Sequence, residues 1–530
     1  MPQQADGGTA QTLGPGGGQA PAPRLRVGLI GLGCAKALVD AEVMMGRLAT
    51  EHDLVGELEA ADVVVINTCA FIEAARRESM EAIAEMAARK RQGLLRHVLV
   101  TGCLAQRHAP ELARALPEVD AFVGTTAERE LAPLLREIAA GAAGATAPAS
   151  PRRPPARLPM AGRPAAARRQ PARNAGRRQH GAHAPAGPRP ELASGAGPRI
   201  VVRDPSLAYG PETARLRLTP RHYAYLRVAE GCNHTCTFCA IPSFRGRFRS
   251  KRREDLLAEA RELVADGARE LILIAEDTNQ WGQDLGDGSS LADLLVELAA
   301  IEQLAWIRIL YAYPAYFPDP LLEAIAGLDK VCKYIDMPLQ HISDPILRAM
   351  RRPSRARTER LLERLRERIP GLVLRTTVIC GFPGETEQHH QELLAFIRSF
   401  GFDRLGAFAY SEEQGTPAAA MADQVPPAVR ERRRREVMEV QQEVAFARNR
   451  ARVGSVLRAI IDEPAASAER TARTHWLGRT EGDAPEIDGT IRLRAPAGSR
   501  LVAGQLVRAR VTASLGYDLE GAVIEPIPLR

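Results

Sequence analysis

The chain has 530 residues, 45% of them hydrophobic and 25% charged, with a formal net charge of +7; this is ordinary soluble-protein composition, and the length implies two to four domains rather than one core. No apolar run approaches the roughly 18 residues of a membrane span, and residues 1–23, rich in Gly, Gln, Ala and Pro, lack the basic start and apolar core of a secretory signal. Eight cysteines in such a chain point to metal binding or catalysis in a reducing, cytoplasmic setting rather than to disulfides.

After a tail expected to be disordered over 1–23, residues 24–140 read as one domain. Strand-like runs at 26–30, 62–66 and 97–100 alternate with helical stretches around 38–49, 72–90 and 107–116. Continuous Val, Ile and Leu strands between helices predict a parallel sheet covered on both faces. Cys34, Cys69 and Cys103 each follow one of these strands. Ligands of open parallel sheets gather beyond the strand C-termini, so three cysteines distant in sequence are expected on one edge, where they could share a metal cluster. The Gly31-Leu32-Gly33 turn lacks the third glycine of a dinucleotide fingerprint and is read as a tight turn before Cys34.

Residues 141–217 read as a disordered linker. Between 151 and 190 there are ten Arg and no Asp or Glu, so the rest of the chain carries a net charge of −3. The basicity therefore belongs to the linker, which is either an unconstrained segment or a tether to RNA or ribosomes.

Residues 218–446 repeat a strand-helix unit, with candidate strands at 224–229, 271–276, 306–311, 332–337, 373–379 and 405–410. Six such units predict a partial (β/α)6 barrel with its functional groups on the loops after the strands. The loop after the first strand holds Cys232, Cys236 and Cys239 at spacing C-x3-C-x2-C. Three thiolates so close can converge on one soft metal centre, and a four-iron cluster held by three cysteines keeps one iron open. A zinc knuckle is the alternative, but zinc sites mostly take two cysteine pairs and no second pair follows. Two further loops are placed for ligand: Pro338-Leu339-Gln340-His341, and the glycine-rich turn Gly381-Phe382-Pro383-Gly384-Glu385-Thr386 that opens a helix. His341 is read as a packed or capping residue, and Cys332 and Cys380 as buried structural thiols.

A helix is expected over 427–448, and 447–530 reads as a small β-barrel with strands near 456–461, 489–493 and 507–511. Residues 451–530 hold eleven Arg against ten Asp or Glu, with Trp476 and Tyr517 as the only large aromatics. That balance provides neither a charged groove nor a stacking platform for nucleic acid.

The Cys232–Cys239 stretch resembles the cluster loop of the radical S-adenosylmethionine superfamily. The resemblance implies that Cys232, Cys236 and Cys239 ligate a 4Fe-4S cluster whose open iron binds S-adenosylmethionine, and that one electron cleaves the bound molecule to a 5′-deoxyadenosyl radical. It also implies that Phe238 and the loops carrying Gln340, Gly384 and Glu385 lie near that cofactor. The C-terminal barrel is similar to the TRAM domain, and the three-domain order resembles the methylthiotransferases. Membership there implies a second 4Fe-4S cluster on Cys34, Cys69 and Cys103 to hold the sulfur, and an external electron donor. The segments 218–226 and 221–246 and Glu276-Asp277-Thr278 resemble the branch that methylthiolates the β-carbon of an aspartate in protein S-twelve of the small ribosomal subunit, free or in the ribosome. The C-terminal barrel would then be a docking module separate from both clusters. Ala35-Lys36-Ala37 departs from the Pro-Lys-Asn common in that branch. A tRNA-adenosine methylthiotransferase and an iron-sulfur electron carrier are the competing readings.

Overall fold

The computed structural model describes residues 24–125, 127–142, 197–205, 215–465, 474–496 and 498–528. Six parallel strands form the first sheet: β1 Arg26–Gly31, β2 Asp53–Leu54, β3 Val63–Thr68, β4 His97–Gly102, β5 Ala121–Val123 and β6 Arg199–Val201, in the order β2-β1-β3-β4-β5-β6. β3 and β4 are buried at every position because helices cover both faces. Val64, Ile66, Val98 and Val100 pack with helices Glu73–Arg91 and Cys103–Ala115, and Val27, Val63, Val65 and Leu99 with helices Ala35–Leu48 and Leu131–Ala142.

The linker expected over 141–217 is shorter than its composition suggests. Ile200 and Val201 pair in parallel register with Phe122 and Val123, because an apolar β-branched run can complete an open sheet edge even between Pro- and Gly-rich flanks. Arg215 is buried against Glu42 and Glu259, so the chain is folded again before 218. Residues 1–23, 143–196 and 206–214, where the tail and most of the basic segment were expected, lie outside the described residues.

The second sheet uses β7 Tyr223–Arg227, β10 Glu270–Ile274, β11 Trp306–Ile309, β12 Val331–Asp336, β13 Val373–Cys380 and β14 Arg404–Ala409, all parallel, with a short antiparallel pair, β8 Ala229–Glu230 and β9 Arg249–Ser250, beside the cysteine loop. The order β7-β10-β11-β12-β13-β14 runs outward from one edge without closing, as the partial barrel predicted. Helices Arg253–Ala265, Leu291–Ala299, Asp319–Gly327, Arg355–Arg368 and Glu387–Phe400 cover its outside. The third unit is a closed barrel, β15 Val456–Pro464, β16 His475–Thr480, β17 Ile491–Arg494, β18 Leu506–Leu515 and β19 Asp518–Ile527, in the order β15-β16-β17-β19-β18.

This third unit packs on the central one through buried contacts. Its residues 479–488 seal the inside of the partial barrel at the N-terminal ends of the strands. Glu270 accepts from Arg308 at 2.7 Å and from Arg479 at 2.6 Å. Arg404 donates to Asp483 at 2.6 Å, Tyr334 to Asp488 at 2.7 Å and Tyr223 to Glu486 at 3.0 Å. Ala484, Ile460 and Leu506 join the same apolar cluster as Tyr225, Trp306 and Cys332. Buried charges left without partners cost about 3–5 kcal/mol. Arg479→Met should therefore lower stability by about that amount, read as a fall in the urea midpoint. Deleting 451–530 should give insoluble protein; a soluble deletion product that still binds iron at both sites would show the barrel to be separable after all.

Candidate functional site

Helix Ala35–Leu48 begins at Cys34, helix Cys103–Ala115 begins at Cys103, and Cys69 follows β3 directly. Because β1, β3 and β4 are neighbours, the three thiols gather on one edge of the first sheet, as expected. The loops are tied at short range. Leu32 N donates to Asn67 O at 3.0 Å, Asn67 Nδ2 to Ala37 O at 2.6 Å, and Thr68 Oγ1 to Thr101 O at 2.5 Å. Gly102 adopts φ +95°, and a Cβ there would lie 2.5 Å from Asn67 Oδ1 and Thr68 O, so only glycine brings Cys103 this close to Cys69. Two helix N-termini direct their partial positive charge at the triad, which favours bound anionic sulfur.

The second triad is held from both sides. Cys232 N donates to Gly246 O at 3.1 Å, Thr237 N to Met350 O at 3.2 Å and Thr237 Oγ1 to Ala349 O at 2.7 Å. Burial pushes the Cys232 and Cys239 thiols up to about 12. A soft cation that displaces the proton is what such buried thiols accommodate. Arg352 lies 3.8 Å from Cys236 Sγ and stacks 4.1 Å from the Tyr313 ring centre. Between the cysteines, His234 stacks on Tyr313 with ring centres 3.5 Å apart and contacts buried Asp277 at 2.5 Å. All eight cysteines are free. Free thiols of this kind are the soft donors that iron-sulfur chemistry takes.

The two triads are brought together by a buried ion cluster that sequence reasoning missed. Arg245 donates to Asp40 at 2.7 Å, to Glu230 at 2.9 Å and to Cys103 Sγ at 3.3 Å. Arg227 pairs with Asp40 and lies 3.1 Å from Glu230. Burial works against the charged form of Asp40, but Arg227 and Arg245 hold its carboxyl below the ordinary range. The one available sign was a pair of acids, Asp40 and Glu42, inside the apolar run 37–45. Burial likewise pushes Cys103 up to about 12, with Arg245 pulling the other way.

The other expected contacts divide. Phe238 is half-buried against Phe382, Tyr410 and Met350 beside the radical-type triad. Gln340 stands at φ +76° in an isolated bridge to Val378, a strained conformation of the kind functional loops retain. Gly384, at φ +79°, faces open space while its N–H donates to Asp423 O at 2.8 Å. Glu385 turns its carboxylate inward, accepting from Gly381 N at 2.5 Å, Phe382 N at 3.1 Å and Arg433 at 3.2 Å, and so braces the turn that carries Gly384. His341 caps Ser343 N at 3.0 Å, and burial brings its pKa down to about 3, which keeps it neutral. Cys332 and Cys380 are buried in apolar clusters.

A partial parallel barrel with a three-cysteine loop after its first strand defines a radical S-adenosylmethionine protein, and residues 226–397 match the Radical SAM superfamily model. Residues 26–124 match uncharacterized protein family UPF0004 and 453–524 the TRAM domain. Proteins named ribosomal protein uS12 methylthiotransferase RimO from Geobacter sulfurreducens and Anaeromyxobacter sp. are each 42% identical, covering 94% and 95% of this chain and 98% and 94% of their own; one from Desulfitobacterium hafniense is 38% identical over 94% of this chain and 99% of its own. The chain belongs to the uS12 methylthiotransferase RimO family, a membership that implies S-adenosylmethionine and a 4Fe-4S cluster. Among solved structures, the radical S-adenosylmethionine methyltransferase TsrM from Kitasatospora setae aligns with TM-score 0.48 at 15% identity, over 73% of each chain. Among the described residues no helix is long and apolar enough to cross a membrane.

Arg245→Met removes the donor that Asp40, Glu230 and Cys103 share. The expected cost is about 3 kcal/mol, seen as a lower thermal midpoint and faster proteolysis between the first two domains. Arg245→Lys should recover part of the loss; an unchanged midpoint in Arg245→Met would show that the cluster does not hold the domains together.

Proposed function

We propose that this enzyme methylthiolates the β-carbon of an aspartate in ribosomal protein uS12, using one 4Fe-4S cluster on Cys232, Cys236 and Cys239 and a second on Cys34, Cys69 and Cys103. The supporting observation is the buried Arg245 bridge, which touches Cys103 on one side and Glu230, two residues before Cys232, on the other, in a chain of the uS12 methylthiotransferase family. When bound, the clusters and S-adenosylmethionine supply electron transfer, hydrogen abstraction, sulfur and methyl group. The protein's own residues do the rest. Arg245 and Arg352 place positive charge beside cysteine sulfur, and the half-buried Phe238 and the two loops of Gln340 and Gly384 are read as bordering the bound S-adenosylmethionine. The N-terminal domain and the 479–488 plug close the barrel against water. An external donor must deliver the electron.

The division of labour between the triads is tested with anaerobically reconstituted protein and a chemical reductant. Cys232→Ala and Cys34→Ala should each lose about half the iron of the full complement, as expected for two similar clusters. Cys69→Ala should still yield 5′-deoxyadenosine but no methylthiolated uS12, and Cys236→Ala should yield neither. Methylthiolated product from Cys69→Ala would refute the assignment. Mass spectrometry of uS12 and tRNA from a deletion strain decides the substrate: a methylthio group missing from tRNA alone would favour the adenosine-modifying reading.

A further inference from the structure

The seam between the two triads contains a cation that none of these roles uses. Lys36 lies two residues past Cys34, in the first turn of helix Ala35–Leu48, and is 8% exposed. An ammonium carries three donors, and burial leaves each in need of a partner. Among the described residues Lys36 makes one hydrogen bond, to Ala275 O at 3.3 Å; its ammonium otherwise rests 3.7 Å from the centre of the Tyr311 ring. Tyr311 holds φ +61°, a strained backbone of the kind that marks functional loops. The strand end that receives Lys36 reaches both triads. Ala275 binds the lysine, the next residue but one, Asp277, holds His234 between Cys232 and Cys236, and between them Glu276 has both side-chain oxygens buried without a hydrogen bond, in the attracting field of Lys36, Arg245 and Arg227. The ammonium keeps donors that no described residue fills, and buried donors call for an acceptor. Cys34, two residues before the lysine, is exposed.

We propose that Lys36 holds the side-chain carboxylate of the substrate aspartate. The proposal rests on the aspartate reading above. Its chemical content is positional. In aspartate the β-carbon is bonded directly to the carboxyl carbon, so a cation that fixes the carboxylate fixes the reacting methylene one bond away. Lys36 is the buried ammonium at this seam, and a charge-assisted hydrogen bond in a low-dielectric setting favours a carboxylate over its neutral amide isostere. Selection for aspartate over asparagine follows from the same contact.

The test compares binding of two recombinant uS12 proteins, one with the target aspartate and one with asparagine in its place, to the reconstituted holoenzyme, wild type, Lys36→Gln and Lys36→Arg, at equal iron content. Wild type should bind the aspartate form about ten- to hundredfold more tightly, the range expected of one charged hydrogen bond. Lys36→Gln should bring that ratio close to one, and Lys36→Arg should retain part of it. A lysine that merely supports the domain seam would weaken both forms equally and leave the ratio intact in Lys36→Gln, which would overturn the proposal. So would a wild-type enzyme that does not discriminate, whatever the variants do. A wild-type enzyme that neither binds nor methylthiolates either uS12 form would instead bring down the substrate assignment, and the role of Lys36 with it.

Discussion

Four charged side chains buried between two domains, Asp40, Arg227, Glu230 and Arg245, set the geometry on which the rest of the site depends. Each alone would cost several kcal/mol to bury, and the cost is offset only when all pair together. That requirement gives the first two domains one seating. Helix Ala35–Leu48 supplies Asp40, and the strand leading to the cysteine loop and the segment leaving it supply Arg227, Glu230 and Arg245. Arg245 extends the cluster to the sulfur of Cys103. The two cysteine-bearing segments are thus tied to each other by ion pairs across the domain seam.

The second constraint is that six strands do not close. A partial barrel leaves apolar interior side chains at one end and along one edge, and these must be covered. Val39 and Val43 of the N-terminal helix and Ala484, Ile460 and Leu506 of the C-terminal barrel share one apolar cluster with Tyr223, Ile272, Trp306 and Tyr334. Flanking domains therefore complete the core of the central one. The end covered by the C-terminal barrel is the one away from the cysteine loop, and its acids satisfy Arg404, Tyr334 and Tyr223. This explains the near-equal numbers of Arg and acids in that domain better than an interaction surface does, since several of its acids are used internally.

The helix stretches at 253–265 and 319–327, the six strands of the central sheet and the three cysteine-bearing strand ends of the first are set by local pattern: β-branched runs for buried parallel strands, helical periodicity between them, and three thiols within eight residues. Local chemistry needs nothing distant to declare itself, so these features were legible. The linker was legible only in part, because Ile200 and Val201 become a strand through an edge that Phe122 and Val123 provide. The orientation of Glu385 was not legible for a related reason: carboxylates in glycine-rich turns can face outward or inward, and Arg433, 48 residues away, decides for inward. Asp40 carries only the oddity of an acid inside an apolar run, and Arg245 and Lys36 carry no local signature. Their meaning comes from partners 205, 142 and 239 positions distant, and a buried charge acquires its role only when the fold has chosen what stands opposite it.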